Sequence, residues 1–378
     1  MANTPVVVEA VRTPQGKEDG ALAGVRSEDL SIPLVDEMVD RTGLTGEQVD
    51  DLLWGCAQQR SEQGNNVARV IALLSELGEA TPAATVNRWC ASSAEAVMRG
   101  ADAIAAGQRD CVIAGGVESM SRVEMGENMG SIHPGMSEEY NVFNLQMGMT
   151  AEKVSDQHDI SRAEQDEYAA RSQQRAAAAT ESGRFAEEIV PVETDEGTVE
   201  TDGGIRPGTT PKALGGLSPV FKSDGTVTAG NASQISDGAS ATLLASREFA
   251  QDQGLDILAE VGNHNVVGVD PTVMGIGPVP AVRGLCERYD RDPGEYDLVE
   301  LNEAFASQTL YCQRELGFED DIYNVNGGAI ALGHPLGASG ARLPVTLVHE
   351  MKNRSADLGL ATECVGFGQG AAIEFHLA

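Results

Sequence analysis

The sequence predicts an α/β protein of two similar domains, with a loop-rich insertion in the first. Three observations predict it. Short apolar runs alternate with segments of helical spacing, as in βαβ units around a mainly parallel sheet. Between residues 120 and 235 that rhythm breaks into Met-, Gly- and Pro-rich loops. Beyond the break the same order of elements returns, as an internal repeat would.

Residues 4–10 (TPVVVEA) read as a buried strand, and 31–42 as a helix carrying Ile32, Val35, Met38 and Val39 on one face. A strand follows at Asp51–Cys56, a helix at 65–78, a strand end at Thr85–Asn87 and an Ala-rich helix at 91–106. Cys111–Gly115 is a strand running into Gly116. Inside the break lie a polar helix at 161–182 and a loop stretch from Gly203 to Gly230. A strand at 239–246 (ASATLLAS) completes the first domain. In the second half, 279–306 echoes 31–57, and TVNRWCASSAEAV (85–97) resembles 324–345 in strand, loop and helix order. CVIAGGVES (111–119) aligns with CVGFGQGAA (364–372). The expected division is 1–119 with 236–248, an inserted unit at 120–235, and a second domain at 249–378.

A length of 378 residues exceeds one typical core. Aromatics are 4% of the chain against 43 glycines, so small residues must let helices sit close on sheets. The net charge is −32, with only five lysines among the cations, and a solvated acidic surface screened by a high-salt cytoplasm accounts for it. No basic stripe supports nucleic-acid or anionic-membrane binding. The six cysteines include no CxxC pair, so a zinc ribbon or redox motif has no support. Neither a signal peptide nor a run of the ~20 apolar residues a membrane span needs is visible, which points to a cytoplasmic protein with reduced thiols.

Cys90 stands between a strand end and a helix start, where unpaired N–H groups and the helix dipole favour a thiolate. A small buried core residue is the plain alternative. His334 lies in GGAIALGHPLGASG (327–340), a glycine-rich loop before a helix at 340–350. Function and a satisfied structural histidine are both open there. Cys364 opens CVGFGQG at a strand end, where Gly366, Gly368 and Gly370 expose N–H groups suited to an oxyanion or, more weakly, a phosphate. Asn302 ends a strand-like run and either points into a site or caps a helix at 303–315. Arg206, Lys212 and Lys222 against the single acid Asp224 make a local charge reversal, although a solvated loop would also carry them.

These segments together resemble the thiolase family along nearly the whole chain. VNRWCAS (86–92), GGVESMS (115–121), MGMTAE (147–152), GTVTAGNAS (225–233), NEAFA (302–306), NGGAIALGHPLGASGAR (326–342) and CVGFGQG (364–370) stand in the family's order and separation. The resemblance implies two βαβαβαββ domains in a five-layered α-β-α-β-α arrangement, with a loop domain over the coenzyme A site. It implies Cys90 as the acyl-carrying nucleophile and Cys364 as the acid/base at the substrate carbon. It implies one oxyanion hole from His334 with a water held by Asn302, and a second from the N–H groups of Cys90 and Gly366. Arg206 is implied at the nucleotide end of CoA, Ala229 and Ser233 at its pantetheine, and Met147 and Phe221 in the same binding set. CoA would enter as substrate with no tightly bound cofactor, and the protein would be a homodimer or homotetramer acting on CoA thioesters. Ser93, Gln146 and Phe367 depart from residues common in the family. Related condensing enzymes and non-catalytic thiolase-like proteins are the rivals, but all three reactive residues are present and NEAFA favours a thiolase.

Overall fold

The computed structural model describes residues 3–126 and 132–378. Residues 127–131, part of the loop stretch expected after 120, lie outside the described residues. The main strands are β1 (Pro5–Arg12), β2 (Asp51–Gly55), β3 (Ala83–Val86), β4 (Cys111–Ser119), β5 (Ser236–Ser246), β6 (Ala259–Gly268), β7 (Leu298–Leu301), β8 (Leu358–Val365) and β9 (Gln369–Leu377). The helices that matter to the site are α1 (Ser27–Thr42), α2 (Val67–Leu74), α3 (Ser92–Ala105), α4 (Met147–Gln157), α5 (Arg162–Glu181), α6 (Pro278–Arg288), α7 (Ala306–Leu316) and α8 (Leu336–Arg354).

Among the described residues the sheet runs β7-β8-β9-β6-β1-β5-β4-β2-β3, with Gly16–Lys17 pairing on β5. It is mixed, not mainly parallel as expected. Only β7–β8, β2–β4 and β2–β3 pair in parallel, whereas β1, β5, β6, β8 and β9 meet antiparallel neighbours. The reason is that β5 returns from the long 120–235 excursion and β9 returns from β8 through a tight turn. Neither uses the helical crossover that parallel strands require. The order also corrects the repeat: β2, β4, β5 and β1 have their counterparts in β7, β8, β9 and β6. Residues 111–119 therefore match 358–365, not 364–372.

Three cores lie between five layers. In β1, Val6, Val8 and Val11 face α1 and α2, while Val7 and Ala10 face the middle helices. Strands buried on both faces read as continuous apolar runs, as this one does. A third core packs β7 and β8 against α6 and α7. The middle layer is α3 with α8, and α8 is buried without interruption from Leu336 to Met351. Its buried polar side chains are paired inside: Arg342 with Glu300, Thr346 with Glu188 and His349 with the Ala10 carbonyl. A Cβ on Gly340 of α8 would stand 2.4 Å from the Ala94 backbone nitrogen, so only glycine lets α3 and α8 approach this closely. The buried Arg12 of β1 reaches into the 120–235 stretch, pairing with Glu188 at 2.7 Å and with Asp202 at 2.7 Å.

Candidate active site

The two middle helices begin at the same level of the molecule, and both expected site loops lead into them. Beyond β3 the chain turns sharply at Trp89, whose φ is +48°, and α3 starts two residues after Cys90. The Asn87 side chain accepts the Trp89 N–H at 2.9 Å and so holds the turn. Cys90 is 8% exposed and packs against Ala57, Met120 and Leu336. Burial pushes its thiol up to about 12, with the Glu363 carboxyl adding to the rise. Hydrogen bonding from the Gly366 and Cys90 backbone N–H groups pulls the other way. Desolvation therefore outweighs the helix terminus at Cys90 and opposes the thiolate that its place before α3 favours.

Cys364 is fully buried near the end of β8, among Ala151, Val227, Met274 and Phe305. Burial drives its thiol well above the usual range, and the next cause is the charge of Cys90. The β8–β9 turn consists of Gly366, Phe367 and Gly368, with φ of +61° at Phe367 and +79° at Gly368. A non-glycine residue there costs about 1–2 kcal/mol. Phe367 stacks at a tilt on Trp89, ring centroids 5.3 Å apart. The bulky departure thus walls one side of the site with two aromatics.

His334 follows Gly333, whose φ is +114°. The imidazole is buried, and burial with the charge of Arg342 lowers its pKa to about 3, so it is neutral and a weak base at rest. Its Nδ1 lies 2.6 Å from Ser339 Oγ, and Asn302 Nδ2 lies 3.3 Å from Nε2. The helix after NEAFA starts at Ala306 with Phe305 as its cap. Asn302 is therefore not the N-cap: its side chain meets His334, and its Oδ1 has no partner among the described residues.

Several supporting groups were not read from sequence. Glu118 accepts the N–H groups of Ala57 (2.9 Å), Gln58 (3.1 Å) and Gly337 (2.9 Å), fastening the His334 loop to the first half. Glu152 accepts from the Thr226 and Val227 N–H groups. Glu118, Glu152 and Ser339 stand inside the recognised motifs, but partners as much as 219 residues away leave no local signal. Ser93, a departure from the family, accepts the Ala341 N–H at 2.8 Å and links α3 to α8. Gln146 is exposed at the N-cap of α4.

Glu363, next to Cys364, is 1% exposed and neither carboxyl oxygen has a partner among the described residues. Ala94, Leu343, Ala361, Ala371 and Ile373 surround it. Burial holds its pKa far above the usual carboxylate value. The folded protein keeps this proton where the unfolded chain, ionising near pH 4.5, has lost it. Stability from this residue therefore falls as pH rises above that value. Glu363→Leu is expected to stabilise the fold by about 1–3 kcal/mol at pH 8 and by less at pH 5. Denaturant melts at the two pH values measure this, and a destabilised variant at pH 8 would refute it.

Arg206, Phe221, Ala229 and Ser233 come together as the lining of one cleft of about 380 Å³. Lys17 also lines it, a cation the sequence did not single out. Met147 does not line this cleft. It sits deeper, against the Cys364 cluster, with its methyl 3.5 Å from where a Cβ of Gly366 would stand. Of the three cations in the charge-reversed stretch, Lys222 is held by Asp156 at 3.1 Å, and Arg206 is exposed with no ion pair among the described residues.

Two buried thiols, a neutral imidazole with an amide beside it, and backbone donors at a strand turn make up this site. Family profiles described as the thiolase N-terminal domain and the thiolase C-terminal domain match residues 5–248 and 255–376. The chain belongs to the thiolase family. This thiolase is 48% identical over 392 residues to a beta-ketoadipyl-CoA thiolase of Pseudomonas putida, covering 97% of this chain and 98% of the relative. It is 46% identical to a 3-ketoacyl-CoA thiolase of Cronobacter sakazakii, with 98% of each chain covered. Its fold matches human mitochondrial 3-ketoacyl-CoA thiolase solved in complex with CoA, with a TM-score of 0.91, 39% identity and coverage of 100% and 99% of the two chains. Bacillus anthracis acetyl-CoA acetyltransferase matches with a TM-score of 0.92 at 39% identity, covering 99% of each chain.

Proposed function

We propose that this thiolase cleaves 3-ketoacyl-CoA with free CoA and, in reverse, condenses acetyl-CoA units through an acyl group on Cys90. The observation that carries the reading is the meeting of the Cys90 turn with the turn that follows Cys364: the Trp89 and Phe367 rings stand 5.3 Å apart, and Arg88 donates to the Gln369 side chain at 3.0 Å. The Cys90 proton passes to His334, and the sulfur attacks the 3-keto carbon. The C2–C3 bond then breaks, its electron pair leaves as the acetyl-CoA enolate, and Cys364 protonates the carbon. Free CoA takes the acyl group from Cys90, giving ping-pong kinetics. The N–H groups of Cys90 and Gly366 stabilise one oxyanion, and His334 with Asn302 the other.

The CoA chain enters along the cleft of Arg206, Phe221, Ala229 and Ser233, with Met147 at its inner end. The names of the relatives, the neighbour solved with CoA and the exposed Arg206 support this. Domain limits of 1–119 with 236–248, 120–235 and 249–378, a homodimeric or homotetrameric state and a cytoplasmic setting belong to the same proposal. The charge of −32 supports a high-salt habitat. The test is thiolysis of acetoacetyl-CoA and of a longer 3-ketoacyl-CoA, in molar KCl and in dilute buffer. Cleavage of either, faster in salt, is expected, and the ratio of the two rates sets the chain-length preference. A folded protein that cleaves neither refutes the catalytic reading, and full activity in dilute buffer refutes the salt requirement.

A further inference from the structure

The group that touches His334 most closely belongs to a residue that the reading above leaves without a task. Ser339 is 1% exposed, one turn into α8, and its Oγ lies 2.6 Å from His334 Nδ1. The same oxygen lies 2.9 Å from the Pro335 carbonyl oxygen. A serine hydroxyl has one proton and can also accept. With that proton directed at Pro335, the oxygen is left to accept Nδ1–H. The Asn302 amide nitrogen stands 3.3 Å from Nε2 and 3.4 Å from Nδ1, so it lies against the ring and favours neither nitrogen. The Ser339 contacts therefore select the tautomer, with the proton on Nδ1 and the lone pair on Nε2.

We propose that Ser339 is a positioning residue for the thiolase reaction, holding His334 in the tautomer whose Nε2 takes the Cys90 proton. This rests on the acyl-cysteine reading. The Cys90 S–H proton moves to Nε2, the electron pair stays on sulfur and forms the new C–S bond, and the ring becomes an imidazolium. That cation lies in a site where burial opposes charge. The Nδ1–H···Oγ bond strengthens as the charge develops, as hydrogen bonds to ionised groups do. The backbone supplies the hold on Ser339 itself, because Pro335, His334 and Ser339 belong to one turn and the α8 start that follows it.

The test compares Ser339→Ala and Ser339→Thr with wild type, reading kcat, KM for CoA and the rate of Cys90 alkylation by iodoacetamide at fixed pH. Ser339→Ala is expected to lose roughly tenfold to a hundredfold in kcat, the usual cost of removing a partner that orients an imidazole. Alkylation should slow in parallel and KM for CoA should not change. Ser339→Thr, which keeps the hydroxyl, should restore both rates. Histidine nitrogen-15 spectra of the wild-type protein decide the matter even if a variant fails to fold. Six histidines are few enough to assign against His334→Gln. The expected signal is protonated Nδ1 and bare Nε2, and the opposite tautomer overturns the proposal. So does Ser339→Ala with wild-type kcat and alkylation. Turnover that survives Cys90→Ala would instead overturn the reading beneath it, whatever Ser339 does.

Discussion

Cys90→Ala is expected to lower thiolysis by at least about 10⁴-fold while leaving the fold intact, the scale on which losing a covalent nucleophile acts. In the proposed mechanism the sulfur receives the acyl group, and its neighbours Ala57, Met120 and Leu336 are apolar and cannot replace it. Cys364 packs in a different cluster, with Phe305. The structural cost is small, because removing one sulfur from a packed site is worth about 1 kcal/mol. Melting the variant alongside the assay separates the two effects. The protonation states add a second expectation. With the Cys90 thiol at about 12 and His334 neutral above about 3, no thiolate–imidazolium pair is preformed. Alkylation of Cys90 should rise with pH through the neutral range and beyond. A plateau reached below neutrality would mean that the thiolate is already present at rest.

Cys364→Ala is expected to divide the reaction. Carbon–carbon cleavage should fall by about 10²–10⁴-fold, the usual contribution of a positioned acid or base. Exchange of the acyl group between Cys90 and CoA needs no proton at carbon and should survive. The check is to follow acetoacetyl-CoA cleavage and, separately, exchange of labelled CoA into acetyl-CoA with the same variant. Equal losses in both would show that Cys364 serves the site as a whole and not the carbon. The surroundings favour division, because Cys364 belongs to β8 and the cluster around Phe305, whereas Cys90 belongs to the start of α3.

Much of this could be read in the sequence for a physical reason. β1, β4 and β5 are buried on both faces, so each carries a short apolar run (Val6–Val8, Cys111–Ala114, Leu243–Ala245), and α3 is marked by small residues. The site motifs sit at strand ends and helix starts, where glycine marks tight backbone turns. What escaped is non-local. The pairing direction of β5 and β9 is decided by how the chain returns, which composition does not record. Asn302 looks like a helix cap until Phe305 is seen to end the extended segment. At Cys90 burial opposes the thiolate that the helix start favours, and that burial comes from α3 and α8 together, which one helix start does not reveal. Glu118 and Ser339 carry their meaning only through partners brought close by the fold, and Glu363 only through the apolar residues that bury it.

The most direct measurement is the mass of the enzyme after mixing with a 3-ketoacyl-CoA in the absence of free CoA and quenching in acid. The account predicts one added acyl group, found on the tryptic peptide that runs from Trp89 to Arg99 and contains Cys90. Substrate consumed with no adduct, or an adduct on the peptide that holds Cys364, would contradict it.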